Sequence, residues 1–298
     1  MFERLPFVID SPGHEPDVTA IAHDAAHHWG LARPTLVRLA VNGVFISGDT
    51  VLRVSRTTAS PLLSLTLARR LTTEGLRVAL PARDDVFHAG DGITVTAWNR
   101  INGGTPSIAD WPQVGAMIQR LHSIDPWSID HPLPFCGDFP WWNFNGLLAE
   151  TALIDAEAGS ALRLAVASHA WWYHSARNGA LVVCHGDVHP GNVMVDRYGP
   201  ILIDWDLLCL GPTSWDHAPL MTWTRRWGGD EGIYESFAAG YGSSLRNDPL
   251  AEAIAELRLV AATLMRLRAA RIQPDNGEAQ RRLAYWRGAP GAPMWQAV

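Results

Sequence analysis

Between Thr35 and Ser55 the sequence TLVRLAVNGVFISGDTVLRVS alternates apolar or β-branched residues with polar ones, and it is interrupted at Asn42-Gly43 and Gly48-Asp49. Period-two alternation broken by turn dipeptides commits a segment to a short antiparallel meander. SPLLSLTLARRLTTEG follows as a helix, with Ser60 at the N-cap, Pro61 at N1, Leu63, Leu67 and Leu71 on one face and Gly75 as the stop. RVALPAR, DVFHAG and ITVTAWNR add strand-like pieces, and the Gly/Pro-rich INGGTPS closes the series. Beyond it the periodicity turns helical, in WPQVGAMIQRLHSID, in NFNGLLAETALIDAEAGSALRLAVASHAWWYHSA and in DPLAEAIAELRLVAATLMRLRAA, where Asp248 caps and Pro249 stands at N1. Strands first and helices afterwards predict an α+β chain of two lobes. Residues 1–98 form a small β-sheet lobe with one helix, 99–107 a hinge, and 108–298 a larger, mainly helical lobe.

Composition narrows the chemistry. All 24 basic residues are arginine, so the 298-residue chain has no lysine. That removes Schiff-base lysines, Ser-Lys dyads and Walker A loops, and with them pyridoxal-phosphate enzymes and ordinary P-loop nucleotidases. A formal charge of −6 supplies no electrostatic footprint for nucleic acid or an anionic membrane and favours a cationic or neutral partner. Three cysteines without CxxC spacing are no disulfide framework. The opening MFERLPFVIDSPGHEPD lacks the apolar core of a secretory signal, and no apolar run is long enough to span a membrane. A soluble, cytoplasmic protein, monomeric or homodimeric, is expected.

Inside the helical half, LVVC, NVMVD and PILIDW form three short strand-like pieces around the loop HGDVHPGN, residues 185–192. Alternate residues His185, Asp187 and His189 fit a metal cage, with His217 as a fourth ligand, and this motivates a metal-dependent hydrolase as one reading. His189-Pro190-Gly191, however, breaks the strand where such a cage needs it. The other reading rests on spacing. Asn192 lies five residues after Asp187, and Asp204-Trp205-Asp206 begins twelve residues after Asn192, at the end of an apolar strand. Kinase catalytic loops have the same Asp-to-Asn count before a metal-binding Asp. Phosphoryl transfer needs an Asp near the attacking hydroxyl, and an amide and a carboxylate to hold Mg²⁺ against nucleotide phosphates.

VCHGDVHPGNVMVD followed by PILIDWD closely resembles the aminoglycoside phosphotransferase and choline kinase-like family, whose fold is that of protein kinases. LRV at 52–54, the helix ending in Leu121-His122, and GPTSWDHA extend the likeness over most of the chain. The resemblance implies an ATP- and Mg²⁺-dependent kinase, with GTP undistinguished from ATP, that phosphorylates a hydroxyl of a small molecule. It implies Asp187 as the catalytic residue and Asn192 and Asp204 as metal ligands. His185, His189, Asp206 and Asp216 would support the loop, with Asp216 receiving backbone donors from it. Arg53 stands where the family places a basic residue for the phosphates, and Thr96, Ala97 and Trp98 where it places the adenine. The family's usual Glu early in the next helix is missing, since no acid precedes Glu74, and a nucleotide-binding pseudokinase is therefore a further alternative. For the acceptor, Trp223, Trp227 and Glu231 follow the metal strand, while Glu150, Asp155 and Glu157 precede the loop, where aminoglycoside-modifying members present acids. Arg258, Arg266, Arg268 and Arg271 read as exposed or dipole-complementing residues of the last long helix.

Overall fold

A computed structural model describes residues 8–58, 60–129, 132–151, 155–271 and 277–296. The strands are β1 (Val8–Asp10), β2 (Thr35–Leu39), β3 (Asn42–Ser47), β4 (Thr50–Thr57), β5 (Phe87–Gly90), β6 (Ile93–Asn99), β7 (Val182–Cys184), β8 (Val193–Asp196), β9 (Gly199–Leu202) and β10 (Cys209–Gly211). The helices are α1 (Glu15–His28), α2 (Pro61–Thr73), α3 (Trp111–His122), α4 (Phe144–Thr151), α5 (Ala156–Ser168), α6 (Trp172–Asn178), α7 (Ser214–Trp227), α8 (Ile233–Tyr241), α9 (Pro249–Ala270) and α10 (Glu278–Trp286). The chain divides into two compact units. One comprises residues 1–106, 124–134 and 190–209, the other 107–123, 135–189 and 210–298.

The first unit is built on an antiparallel sheet of order β2-β3-β4-β6-β5, with β1 also paired to β4. The expected turn at Asn42-Gly43 lies two residues earlier, at Ala40-Val41, and Asn42 opens β3 opposite Ser55. Packing explains the shift. A Cβ on Gly43 would stand 2.7 Å from Val18 Cγ1, so this glycine gives α1 room against the sheet instead of turning the chain. Gly48 does turn it, at φ +57° between Ser47 and Thr50. The helix α1 was not expected. Its buried face of Val18, Ala22, Ala25 and Ala26 covers Phe45, Leu52, Val54, Val95 and Ala97. RVALPAR contributes isolated bridges at Val78 and Pro81 and no strand of its own. The hairpin β8–β9 completes this unit, with Val193 opposite Leu202.

The second unit is mainly helical. Gly115 of α3 and Gly240 of α8 let these helices approach closely: a Cβ on the first would lie 2.0 Å from the Phe237 carbonyl oxygen, and one on the second 1.9 Å from that of Pro112. The helix α9 buries Ala251, Ile254, Leu257, Val260 and Leu264. Its N-terminus is capped as expected, the Asp248 carboxylate accepting the Ala251 amide at 2.8 Å. The stretch read as one or two helices between 143 and 176 forms three, α4 to α6.

Candidate active site

In the sheet unit, alternation along β4 puts Arg53 and Ser55 on one face, and the register aligns Val44 and Asn42 of β3 beside them. After β9 the chain turns sharply, with Asp204 in the left-handed region at φ 63°, ψ 69°, a conformation that Asp tolerates better than most residues. This turn aims two carboxylates at β4. Arg53 Nη2 donates to Asp204 Oδ1 at 3.2 Å and also to Asp206 Oδ2. Asn42 Nδ2 donates to the same Asp206 oxygen at 3.1 Å, and Ser55 Oγ donates to Asn42 Oδ1 at 2.6 Å. Arg53 therefore has acidic partners after all, drawn from the segment after β9 and not from α2. Burial raises the Asp206 carboxyl to about 6; Arg53 pulls the other way, and the neighbouring Asp204 adds to the rise. Burial disfavours the Arg53 charge, but the two carboxylates outweigh it and hold the guanidinium cationic.

Asn192 ends a short turn, Pro190–Asn192, and is buried; its carbonyl accepts the Ile203 amide at 3.0 Å, tying its backbone to the residue before Asp204. Asn192 and Asp204 bring oxygen donors, which fit a hard divalent cation such as Mg²⁺. Arg53, Asn42, Asp204 and Asp206 also line a cavity of about 450 Å³, whose other walls are largely apolar, including Val44, Leu67, Trp98 and Ile203, with Arg38 and Ser64 among them. Of the segment read as the adenine edge, Trp98 lines this cavity, together with Asn99, Arg100 and Ile101. The Ala97 carbonyl accepts the Ala82 amide at 2.9 Å, and Thr96 Oγ1 accepts Trp98 Nε1 at 2.8 Å.

In the helical unit, the start of the loop is held by Asp216. Its carboxylate accepts the His185 and Gly186 amides, each at 2.8 Å, and lies 3.1 Å from His122 Nε2. Burial opposes the charge on His122, yet the hydrogen bond to Asp216 and the proximity of Cys184 lift it to about 9. His185 is fully buried, and its Nδ1 accepts the Asp187 amide at 3.3 Å. Asp187 Oδ1 takes a 2.7 Å bond from Arg258 Nη2, and Oδ2 lies 3.3 Å from His189 Nε2. Against the effect of burial, His189, Arg258 and His185 hold this carboxyl well below the usual carboxylate range. Arg258 is thus neither exposed nor a dipole-complementing residue: its side chain is 17 % exposed and committed to the loop. Sequence reading missed it although it lies four residues after Ile254 and three before Ala261, on the buried stripe of α9, where an arginine signals a buried partner.

His189 stacks on Trp223 at 5.3 Å and 12°, and Trp223 on Trp227 at 5.8 Å and 16°. Glu231 and Glu157 are exposed. Asp155 caps α5, accepting the Ala158 amide at 2.9 Å, and binds Arg287 at 2.8 Å. The ring of His217 packs among Tyr234, Phe237 and Tyr241, and its Nδ1 lies 3.2 Å from the Tyr234 hydroxyl. Among the described residues, the one His/Cys/Asp/Glu group close enough to share an ion is His122, Cys184 and Asp216, not His185, Asp187 and His189.

A profile of the phosphotransferase enzyme family matches residues 47–258, more than two thirds of the chain. The chain belongs to the phosphotransferase enzyme family. As a family member it is an enzyme that transfers phosphoryl groups to hydroxyls of small molecules. No curated protein matches it in sequence. Solved structures share its kinase-like α+β fold. A spectinomycin phosphotransferase with ADP and spectinomycin is 16 % identical, with a TM-score of 0.64 over 87 % of this chain and 89 % of that one. An amicoumacin kinase in complex with AMP-PNP and Ca²⁺ is 16 % identical, with a TM-score of 0.66 over 92 % and 95 %. A choline/ethanolamine kinase family protein from Mesorhizobium loti is 16 % identical, with a TM-score of 0.63 over 92 % and 93 %. Among the described residues, no helix of this phosphotransferase is long and apolar enough to cross a membrane.

Proposed function

We propose that the protein transfers the γ-phosphoryl group of ATP to a hydroxyl of a small, cationic acceptor. The observation that carries this reading is the cavity of the sheet unit, whose largely apolar walls suit a nucleobase and which presents Arg53 and Asp204 to phosphates. Asn192 and Asp204 would hold Mg²⁺, which neutralises charge on the transferring group when bound. Arg53 grips phosphate oxygens through its guanidinium, while Asp206, restrained by Asn42, keeps Arg53 facing the cavity. Asp187, ionised and with a depressed pKa, is a weak base. It orients the acceptor hydroxyl and takes its proton only as the new O–P bond forms and the β–γ bridge bond breaks, as a loose transition state requires.

The formal charge of −6 supports a cationic acceptor, and the Trp223–Trp227 stack with the exposed Glu231 offers it aromatic and acidic contacts. Glu157 is exposed, whereas the Asp155 carboxylate is spent on its helix cap and Arg287. The test is ADP release from Mg-ATP and Mg-GTP over a panel of aminoglycosides, amino sugars and amino alcohols. Asp187→Asn is expected to abolish it while nucleotide still binds. Nucleotide bound but never consumed with any acceptor would make the protein a pseudokinase, and stoichiometric zinc on His185 and His189 would make it a metallohydrolase.

A further inference from the structure

Arg258 reaches Asp187 from 71 residues further along the chain. Its guanidinium makes two bonds to successive loop residues: Nη1 donates to the Gly186 carbonyl at 3.1 Å, and Nη2 to Asp187 Oδ1 at 2.7 Å. Its central carbon lies 5.5 Å over the ring of Trp215, which is fixed by Trp142 and Trp172 at 4.6 and 6.0 Å between ring centroids. The guanidinium therefore lies against an indole wall while it clasps a backbone carbonyl and the adjacent side chain. The opposite oxygen, Oδ2, faces His189, whose ring is held by Trp223. A Cβ on Gly229 would stand 1.9 Å from the Trp223 ring, so that indole is wedged in place as well.

We propose that Arg258 is a positioning residue for phosphoryl transfer: by bridging the Gly186 carbonyl and Asp187 Oδ1 it fixes the rotation of the Asp187 carboxylate towards the acceptor hydroxyl. The inference rests on Asp187 being the catalytic carboxylate. A planar fork with two divergent donors suits such a bridge, and a single ammonium does not. The depressed pKa of Asp187 agrees with it, since against burial His189 and His185 from its own loop and Arg258 from α9 all act to lower it.

The experiment uses the full chain, Mg-ATP and whichever acceptor of the panel gives the highest rate. Arg258→Lys and Arg258→Ala are expected to lower kcat about 10-fold and about 100-fold, the scale of a misplaced catalytic group, with the acceptor KM and nucleotide affinity nearly unchanged. Losing a cation raises the Asp187 pKa, so an acid limb of the kcat/KM profile that lies below the working pH range in the wild type moves up towards it in Arg258→Ala. Added guanidinium ion restores part of the lost rate. Arg268→Gln, exposed on the same helix, leaves the rate unchanged. Wild-type kcat in Arg258→Lys and Arg258→Ala overturns the proposal, and so does a loss of kcat with neither a shifted acid limb nor rescue, which marks a purely structural arginine. Asp187→Asn separates the two levels: if it keeps turnover the assignment of Asp187 fails, whereas an inactive Asp187→Asn beside a fully active Arg258→Ala sinks the positioning role alone.

Discussion

Around Arg53 one guanidinium is shared by two carboxylates, Asp204 and Asp206, whereas around Asp187 one carboxylate is divided between a guanidinium and an imidazole. The consequences run in opposite directions. Around Arg53, burial lifts the Asp206 carboxyl to about 6, Arg53 pulls it down, and the neighbouring Asp204 adds to the rise, which leaves two acids to one base. Around Asp187 the basic groups outnumber the acid, so against burial Asp187 stays ionised. Burial prevails at one carboxylate, its basic neighbours at the other.

Asp187→Asn attacks the second cluster at its centre. It should lower kcat by about 1,000-fold, within the range for a lost acid–base group, with nucleotide affinity retained because Arg53 and Asp204 are untouched. Rate assays alongside nucleotide titration check both halves. His122→Asn tests the support beneath that cluster. Its pKa is raised from 6.5 to about 9 in the folded protein, so its contribution is complete below pH 6.5 and is lost as the pH rises towards 9. Wild-type unfolding stability should fall by something on the order of 3 kcal/mol across that window, and the variant should lose most of this dependence. Urea titrations at several pH values measure it.

Asp206→Asn removes the surplus acid from the first cluster. It leaves Arg53 with Asp204 as its one carboxylate partner among the described residues, so if Asp204 holds Mg²⁺ as proposed, Mg²⁺-dependent ATP binding should weaken about 10-fold or somewhat more. Calorimetric titration of ATP with and without Mg²⁺ reads this. The smallest effect belongs to Asn42→Ala, which deprives Asp206 and Ser55 of a buried partner and should cost about 1–2 kcal/mol of stability.

The two clusters were not equally legible in the sequence. Fixed counts between Asp187, Asn192 and Asp204 survive because a tight loop and a hairpin tolerate no slippage, and so motif and fold class could be read directly. Asn42-Gly43 has the letters of a turn but serves as a strand start, because α1 needs the space above Gly43; no local rule registers a helix packing from outside. The same helix escaped notice since three of its four buried residues are alanines, which carry little periodic contrast. The partners of Arg53 lie about 150 residues away, and those of Arg258 about 70, distances over which only the folded chain brings charges together.

A guanidinium at position 53 also changes which reagents can find this protein. Nucleotide-shaped labels that acylate an active-site amine require a lysine nucleophile, and this chain has none, while Arg53 is held cationic by its two carboxylates. Surveys of kinases that depend on such amine capture should therefore pass over this chain even when nucleotide is bound to it.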